Sequence, residues 1–458
     1  MKSIELLPTK ENIFNTLIDD PFGRDEEIAS FLNLLTTIEG HFVISIDGKW
    51  GTGKTFFIKQ CELILNTIND TNKLTTENKE KILHLPFLSK ESLLGKLKGQ
   101  NCVYFDAWAN DDYEKPILAI LNTLISKCSF GKTMPSVDLT QVENLIEEMG
   151  NKFFTNKLGI SVKPILETLK RPGSKEAEDQ KSLHDYIEKI INNLTPDGNR
   201  LIIFIDELDR CKPSFAVKLL EQIKHYFLLN NVTFVFTTNI LELSETISKF
   251  YGNNFRGDKY LTRFFDLSLK LSLIDPQQYY SYLSSKDSSY IYEKNKLAVI
   301  KFFNMSMRSV GKFVVSNELI DYHSLEGNNE FRLFNEAEAQ IAIDIEWMII
   351  PFLFGLRIEN KKEENLFLTG QNEITLQQYV LTLESFWNFF KYTGIQQSLK
   401  TLCDINKEEK IEENKKLIIK RIYNQLFVSP IGRNQVASDK DRFWYVVRQQ
   451  IENTLNIS

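Results

Sequence analysis

Gly48 to Thr55 reads GKWGTGKT, and Asp206-Glu207 directly follows the apolar run LIIFI, residues 201–205. The first string has the spacing G-x-x-x-x-G-K-[ST]. It comes after a short apolar run, FVISI at 42–46, and before a segment with Phe57, Cys61, Ile64, Leu65 and Ile68 at helical spacing. That strand–loop–helix setting makes the string chemically meaningful. Glycines let the loop wrap so that successive backbone N–H groups face phosphate oxygens, and the helix N-terminus adds its positive dipole end. Gly48, Trp50, Gly51, Thr52, Gly53 and Phe56 are therefore expected around the phosphates of a nucleotide. Lys54 is expected to reach the β- and γ-phosphates, and the Thr55 hydroxyl to ligate Mg²⁺. Asp206, ending a buried strand, could hold the metal through water, and Glu207 could polarise the attacking water as general base. Carboxylates also follow strands as helix caps, so the two strings gain joint meaning only if one sheet carries both. For Asp209 and Arg210, a capping or ion-pair role competes with a functional one.

The elements that must position these residues read as alternating strands and helices, which implies an α/β fold with a mostly parallel, five-stranded sheet. Cys102 to Phe105 is a second short strand. Pro116 opens a helix with Ile117, Ile120, Leu121 and Leu124 on one face, and proline suits that first turn because its missing N–H would be unpaired there anyway. LIIFI is continuous, as in strands buried on both faces. Pro213 opens the next helix, and Val232 to Phe236 is a fourth strand. Asp266 to Leu273 (DLSLKLSL) alternates strictly, which suits an edge strand with one wet side. Two stretches, about 69–99 and 129–199, interrupt this plan and read as helical insertions. Beyond Pro276 helical periodicity predominates, as in 376–390 and 407–427. The expected division is an NTPase domain over 1–275 and a helical C-terminal domain over 276–458.

Bulk composition narrows the classes. The chain has 458 residues, 42% hydrophobic and 25% charged, a balance that argues against wholesale disorder. Its net charge of −6 lacks the basic excess that phosphate neutralisation asks of a sequence-independent nucleic-acid binder. The five cysteines (Cys61, Cys102, Cys128, Cys211, Cys403) form no CxxC pair and no zinc spacing, and read as buried free thiols in a reducing cytosol. No secretion signal and no apolar run of membrane-spanning length is visible. The longest apolar patch, Trp347 to Leu356, reads as buried core. A cytoplasmic protein is expected.

With these residues in view, the sequence resembles the KAP family of P-loop NTPases. The resemblance rests on DDPFGRDEEIASFLNLL followed by ISIDGKWGTGKT, on FDAW at 105–108, on IIFIDELDRCKPSFAVKLLEQIKHYF at 202–227, and on KYLTRFFDLSLKLS at 259–272. It covers roughly residues 19 to 273 and is weak in the C-terminal part, near Met307-Arg308. It implies ATP and Mg²⁺ as ligands of the site above, with Lys54 and Glu207 in catalysis. It implies that Arg24, in FGRDEE, lies near the nucleotide, where a capping or salt-bridge Arg is the competing reading. Asn239 falls where related ATPases place a polar sensor of the γ-phosphate, although family members often carry Asp there. A strand-end turn Asn competes. Arg263 and Arg308 could each neutralise transition-state charge, one of them from a neighbouring subunit, with structural salt bridges as the competing role.

Many relatives insert transmembrane helices between the two motifs. This chain does not, and so resembles the branch without them, whose bacterial members look linked to anti-phage defence beside a separate effector protein. The expected function is a Mg²⁺-dependent ATPase acting as a switch or assembly motor, as a homo-oligomer or in complex with an effector. A nucleotide-gated scaffold with little hydrolysis and a nucleic-acid-stimulated motor are the competing readings. Nucleic acid is not indicated as a partner.

Overall fold

A computed structural model describes residues 6–89, 93–113, 116–128, 187–188, 191, 195, 199–227, 229–252, 254–284, 291–318, 334–389, 392–406 and 408–457. The chain divides into two compact units: Pro8–Leu273, and Ile274–Ser458 together with Met1–Leu7.

The first unit is built on a five-stranded, all-parallel sheet. Its strands are β1 (Phe42–Asp47), β2 (Gln100–Asp106), β3 (Arg200–Asp206), β4 (Val232–Thr238) and β5 (Leu267–Lys270), in the order β2-β3-β4-β1-β5. Alternate residues of each strand enter opposite layers, because side chains alternate across a pleat. Val43, Val103, Phe105, Ile203, Ile205, Phe234 and Phe236 pack on one face under α7 (Pro116–Cys128), α8 (Pro213–Tyr226) and α9 (Ile240–Tyr251). Ile44, Ile46, Cys102, Ile202, Phe204 and Val235 face the other layer. There α1 (Lys10–Asp19), α2 (Asp25–Thr37) and α3 (Lys54–Ile68) lie. Burial on both faces explains why the central strands read as unbroken apolar runs rather than alternations.

The first expected insertion is helical: α4 (Thr76–Leu83), α5 (Pro86–Ser89) and α6 (Leu93–Leu97) bury Ile82, Leu88, Leu93 and Leu97 in the second layer. Most of the second, 129–199, lies outside the described residues. Ile187 and Ile191 within it are buried in the first layer. The expected edge strand is at the edge, but it pairs over four residues only. The alternation fails at Leu273, which is 79% exposed.

In the second unit a 24-residue helix, Glu336–Glu359, is the central element. It starts with a capping box, Asn335 and Glu338, and buries Met348 to Leu356, the patch read as core. The stretch 376–390 is two helices, Glu373–Leu381 and Glu384–Phe389, with Phe390 outside the described residues. The charged stretch is one helix, Ile411–Tyr423, followed by a π turn at Asn424–Val428, and Lys407 lies outside the described residues. Among the described residues Cys61, Cys102, Cys211 and Cys403 are buried and form no disulfide; the side chain of Cys128 lies outside the described set. Among the described residues no helix is long and apolar enough to cross a membrane.

Candidate nucleotide site

β1, β2 and β3 each end in an aspartate, Asp47, Asp106 and Asp206, at the same edge of the sheet. In open α/β sheets ligands bind outside the carboxyl ends of the strands, so this edge is where a site belongs. The loop 48–53 leaves β1 there and delivers the chain into α3. Gly51 and Gly53 hold φ of +78° and +85°, a backbone region that side chains resist, which is why glycine stands at both positions. Lys54 Nζ donates to the carbonyls of Gly48 (2.5 Å) and Lys49 (3.1 Å), two residues of its own loop. Burial pulls the Lys54 ammonium below its ordinary range, with Asp209, Asp206 and Asp47 opposing that shift.

The loop and the acidic strand end meet directly. Thr55 Oγ1 donates to Asp206 Oδ2 at 2.7 Å. Strand β4 separates β1 from β3, so this contact reaches across an intervening strand, and β4 supplies its own polar group. Thr237 pairs in register with Asp206, and its hydroxyl donates to Asp206 Oδ1. Tyr104 OH reaches diagonally from β2 to Asp206 Oδ2 at 3.0 Å, and the Glu207 N–H donates to Oδ1 at 3.0 Å. Asp206 is 1% exposed, and these four donors are what make a buried carboxylate tolerable. Burial and the charge of Asp206 push the Tyr104 phenol up, so it stays a donor.

Glu207 follows in the left-handed region, φ +61°, where β3 turns into the 3₁₀ turn Leu208–Arg210. Its Oε1 pairs with Arg210 Nη2 at 3.1 Å. Burial raises the carboxyl above its usual range, Arg210 opposes that shift, and Asp206, Asp106 and Asp209 add to it. Trp50 of the loop donates its indole N–H to Asp209 Oδ2 at 2.6 Å, a second bridge between the two motifs.

Arg24 is 7% exposed and lies behind the loop: Nη2 donates to the carbonyls of Thr52 (2.9 Å) and Ser272 (3.0 Å), and Nη1 pairs with Glu27 (3.2 Å). It therefore shapes the loop through its backbone. Phe56 is half-buried in the first turn of α3. Asn239 is the N-cap position of α9, buried beside the site edge, but its side chain makes no cap bond. Asp47 Oδ1 instead accepts from Ile240 N at 2.9 Å. Arg263 is not with the others. It lines a pocket with His41, Val43 and Asp266 at the amino-terminal edge of β1, a six-residue strand away from the loop. Arg308 is the second residue of the helix Met307–Glu318, in the second unit.

Tyr104, Thr237 and the Trp50–Asp209 bridge were not singled out from sequence. The available signal was weak: polar residues inside runs otherwise wholly buried, as in CVYFD and VTFVFTT.

A Thr hydroxyl and an Asp carboxylate, 2.7 Å apart beside the glycine loop, are hard oxygen donors of the kind Mg²⁺ takes alongside phosphate oxygens. The residues present thus fit the metal. Fold and site together define a P-loop NTPase. The KAP family P-loop domain matches residues 24–322, and the chain belongs to that family. The match runs beyond Leu273 through the first helices of the second unit. No curated protein matches the sequence.

Proposed function

We propose that this chain is a Mg²⁺-dependent ATPase that works as a conformational switch or assembly motor. The observation that supports the proposal is the Thr55–Asp206 hydrogen bond, which joins the two motifs directly. Lys54 binds the β- and γ-phosphates. Thr55 and Asp206 hold Mg²⁺, which supplies charge neutralisation and orients the phosphates. Glu207 accepts the proton of the attacking water. Loop N–H groups from Gly48 to Phe56 cradle the phosphates, and Asn239 senses the γ-phosphate. Arg263, placed far from this chain's own loop, acts on a neighbouring subunit's nucleotide, with Arg308 the other candidate. Adenine is favoured over guanine by the family and by the lack of an N-K-x-D motif in the sequence. The NTPase domain is taken as 1–275, the helical domain as 276–458. The setting is cytoplasmic anti-phage defence with an effector on a separate chain, by association with the family alone. Steady-state ATP turnover that vanishes in Lys54→Ala and without Mg²⁺ is the expected result. Equal turnover in wild type and Lys54→Ala refutes the assignment.

One observation favours a second reading, a nucleotide-gated scaffold with slow hydrolysis: an oxygen of Glu207 is already occupied by Arg210. Single-turnover kinetics separate the two, since a scaffold retains unhydrolysed ATP for hours.

A further inference from the structure

Two short turns meet at the acidic edge of the sheet. One is Leu208–Arg210, which carries the chain away from β3. The other is Trp108–Asn110, which carries it away from β2. They are held in register by the Ala107 N–H, which donates to the Asp206 carbonyl at 3.0 Å. The Trp108 turn is fixed at its base: Asp106 Oδ1 accepts from Ala109 N (2.9 Å), and Asn110 Nδ2 donates to Asp106 O (2.7 Å). The Arg210 turn closes on itself, with Arg210 N donating to Glu207 O at 3.1 Å. The result is a row of three side chains. The Arg210 guanidinium lies 5.3 Å over the Trp108 ring while its Nη2 holds Glu207 Oε1 at 3.1 Å.

We propose that Arg210, seated on the Trp108 indole, is a positioning residue that fixes the orientation of the Glu207 carboxylate. Three observations support this. Glu207 sits at φ +61°, so its side chain leaves the backbone in a direction the strand does not set, and a partner must. Arg210 and Glu207 are both largely covered, 28% and 21% exposed, which limits the motion an exposed pair would have. Trp108 is 50% exposed, and nothing in the hydrophobic layers explains a large apolar ring at that place, whereas a guanidinium lying over it at cation–π distance does. A planar guanidinium can stack on a ring and hold a carboxylate at once; an ammonium cannot do both in one geometry. With Oε1 held by Arg210, Oε2 is left for the attacking water. The inference deepens the ATPase reading and rests on Glu207 as its general base.

The test has two arms. In the kinetic arm, Arg210→Ala lowers kcat roughly ten- to a hundredfold, the scale of misplacing a catalytic group by about an ångström, with ATP affinity retained. Arg210→Lys recovers only a small part. Trp108→Phe keeps kcat near wild type and Trp108→Ala does not. The double variant Trp108→Ala/Arg210→Ala is no worse than Arg210→Ala alone, as coupled residues require. Wild-type or higher kcat in Arg210→Ala, or additive losses in the double variant, overturns the proposal. The second arm needs no turnover. Trp50 and Trp108 are the two exposed tryptophans, so in a Trp50→Phe background acrylamide quenching reports Trp108. Quenching rises in Arg210→Ala and also in Glu207→Ala, because the carboxylate holds the guanidinium over the ring. Unchanged quenching in Glu207→Ala breaks the linkage and overturns the proposal. If wild type hydrolyses nothing, the ATPase reading fails, and the quenching arm still decides whether the three side chains act together.

Discussion

Asp206 carries the most contacts of any group at the site. Its carboxylate gathers donors from four places: the first turn of α3, strand β2, strand β4 and its own following peptide. Asp206→Ala strips the acceptor from Tyr104 and Thr237 in a closed environment. Each buried hydroxyl left without its acceptor costs about 1–3 kcal/mol, so a loss of about 2–6 kcal/mol in urea unfolding of the sheet unit is expected. A change within about 0.5 kcal/mol would show that water replaces the carboxylate and that the network is incidental. Arg24 makes a different prediction. One guanidinium spans the carbonyls of Thr52 and Ser272 and the Glu27 carboxylate, a geometry a lysine cannot reproduce. Arg24→Lys should weaken ATP binding about as much as Arg24→Ala, on the order of tenfold, through a loosened loop. Calorimetric titration checks this, and full rescue by lysine would mean that only charge near the nucleotide matters.

At the scale of elements, much was legible. The four long strands are apolar runs because both faces of a parallel sheet are covered, and the glycine pattern announced its loop because positive φ restricts residue choice so sharply. Distances across the sheet were not legible. Arg24 meets Ser272 only because β5 returns beside β1, and Arg263 falls at the far edge because β5 runs parallel to β1, so the residues before it sit where β1 begins. Thr237 faces Asp206 by cross-strand register, which neither segment encodes alone. The long helix Glu336–Glu359 adds a prediction of its own. Burial raises Asp344 to about 7, with Gln340 opposing that shift. A carboxyl whose folded pKa exceeds its unfolded value binds more protons when folded. Its contribution is therefore fully present below about pH 4 and lost as pH rises through about 7. Asp344→Asn should stabilise the helical unit at pH 8, by roughly 1–3 kcal/mol, and give no gain at pH 4. Unfolding midpoints at the two pH values check the sign; an equal effect at both would place the cause in packing.

The whole molecule joins a P-loop sheet unit to a helical unit, and the KAP match spans all of the first from Arg24 onward and part of the second. With a net charge of −6, the chain has no general basic excess to neutralise a phosphate backbone. Added DNA or RNA should leave turnover unchanged, and stimulation that fades steeply with salt would reinstate a nucleic-acid motor. If Arg263 serves a neighbour, the assembled mass must rise with ATP, and an Arg263→Ala protein should assemble yet turn over slowly. Light scattering with and without nucleotide reads the first, and turnover the second.

In the proposed ATPase, loop and acidic strand end form one hydrolytic centre in which binding and chemistry fall to different residues. Nucleotide binding and single-turnover hydrolysis by Glu207→Gln, measured side by side in Mg²⁺, test it most directly. ATP should bind this variant with wild-type affinity and be released intact, its cleavage slowed by at least about a hundredfold. Cleavage at the wild-type rate in that variant would contradict it.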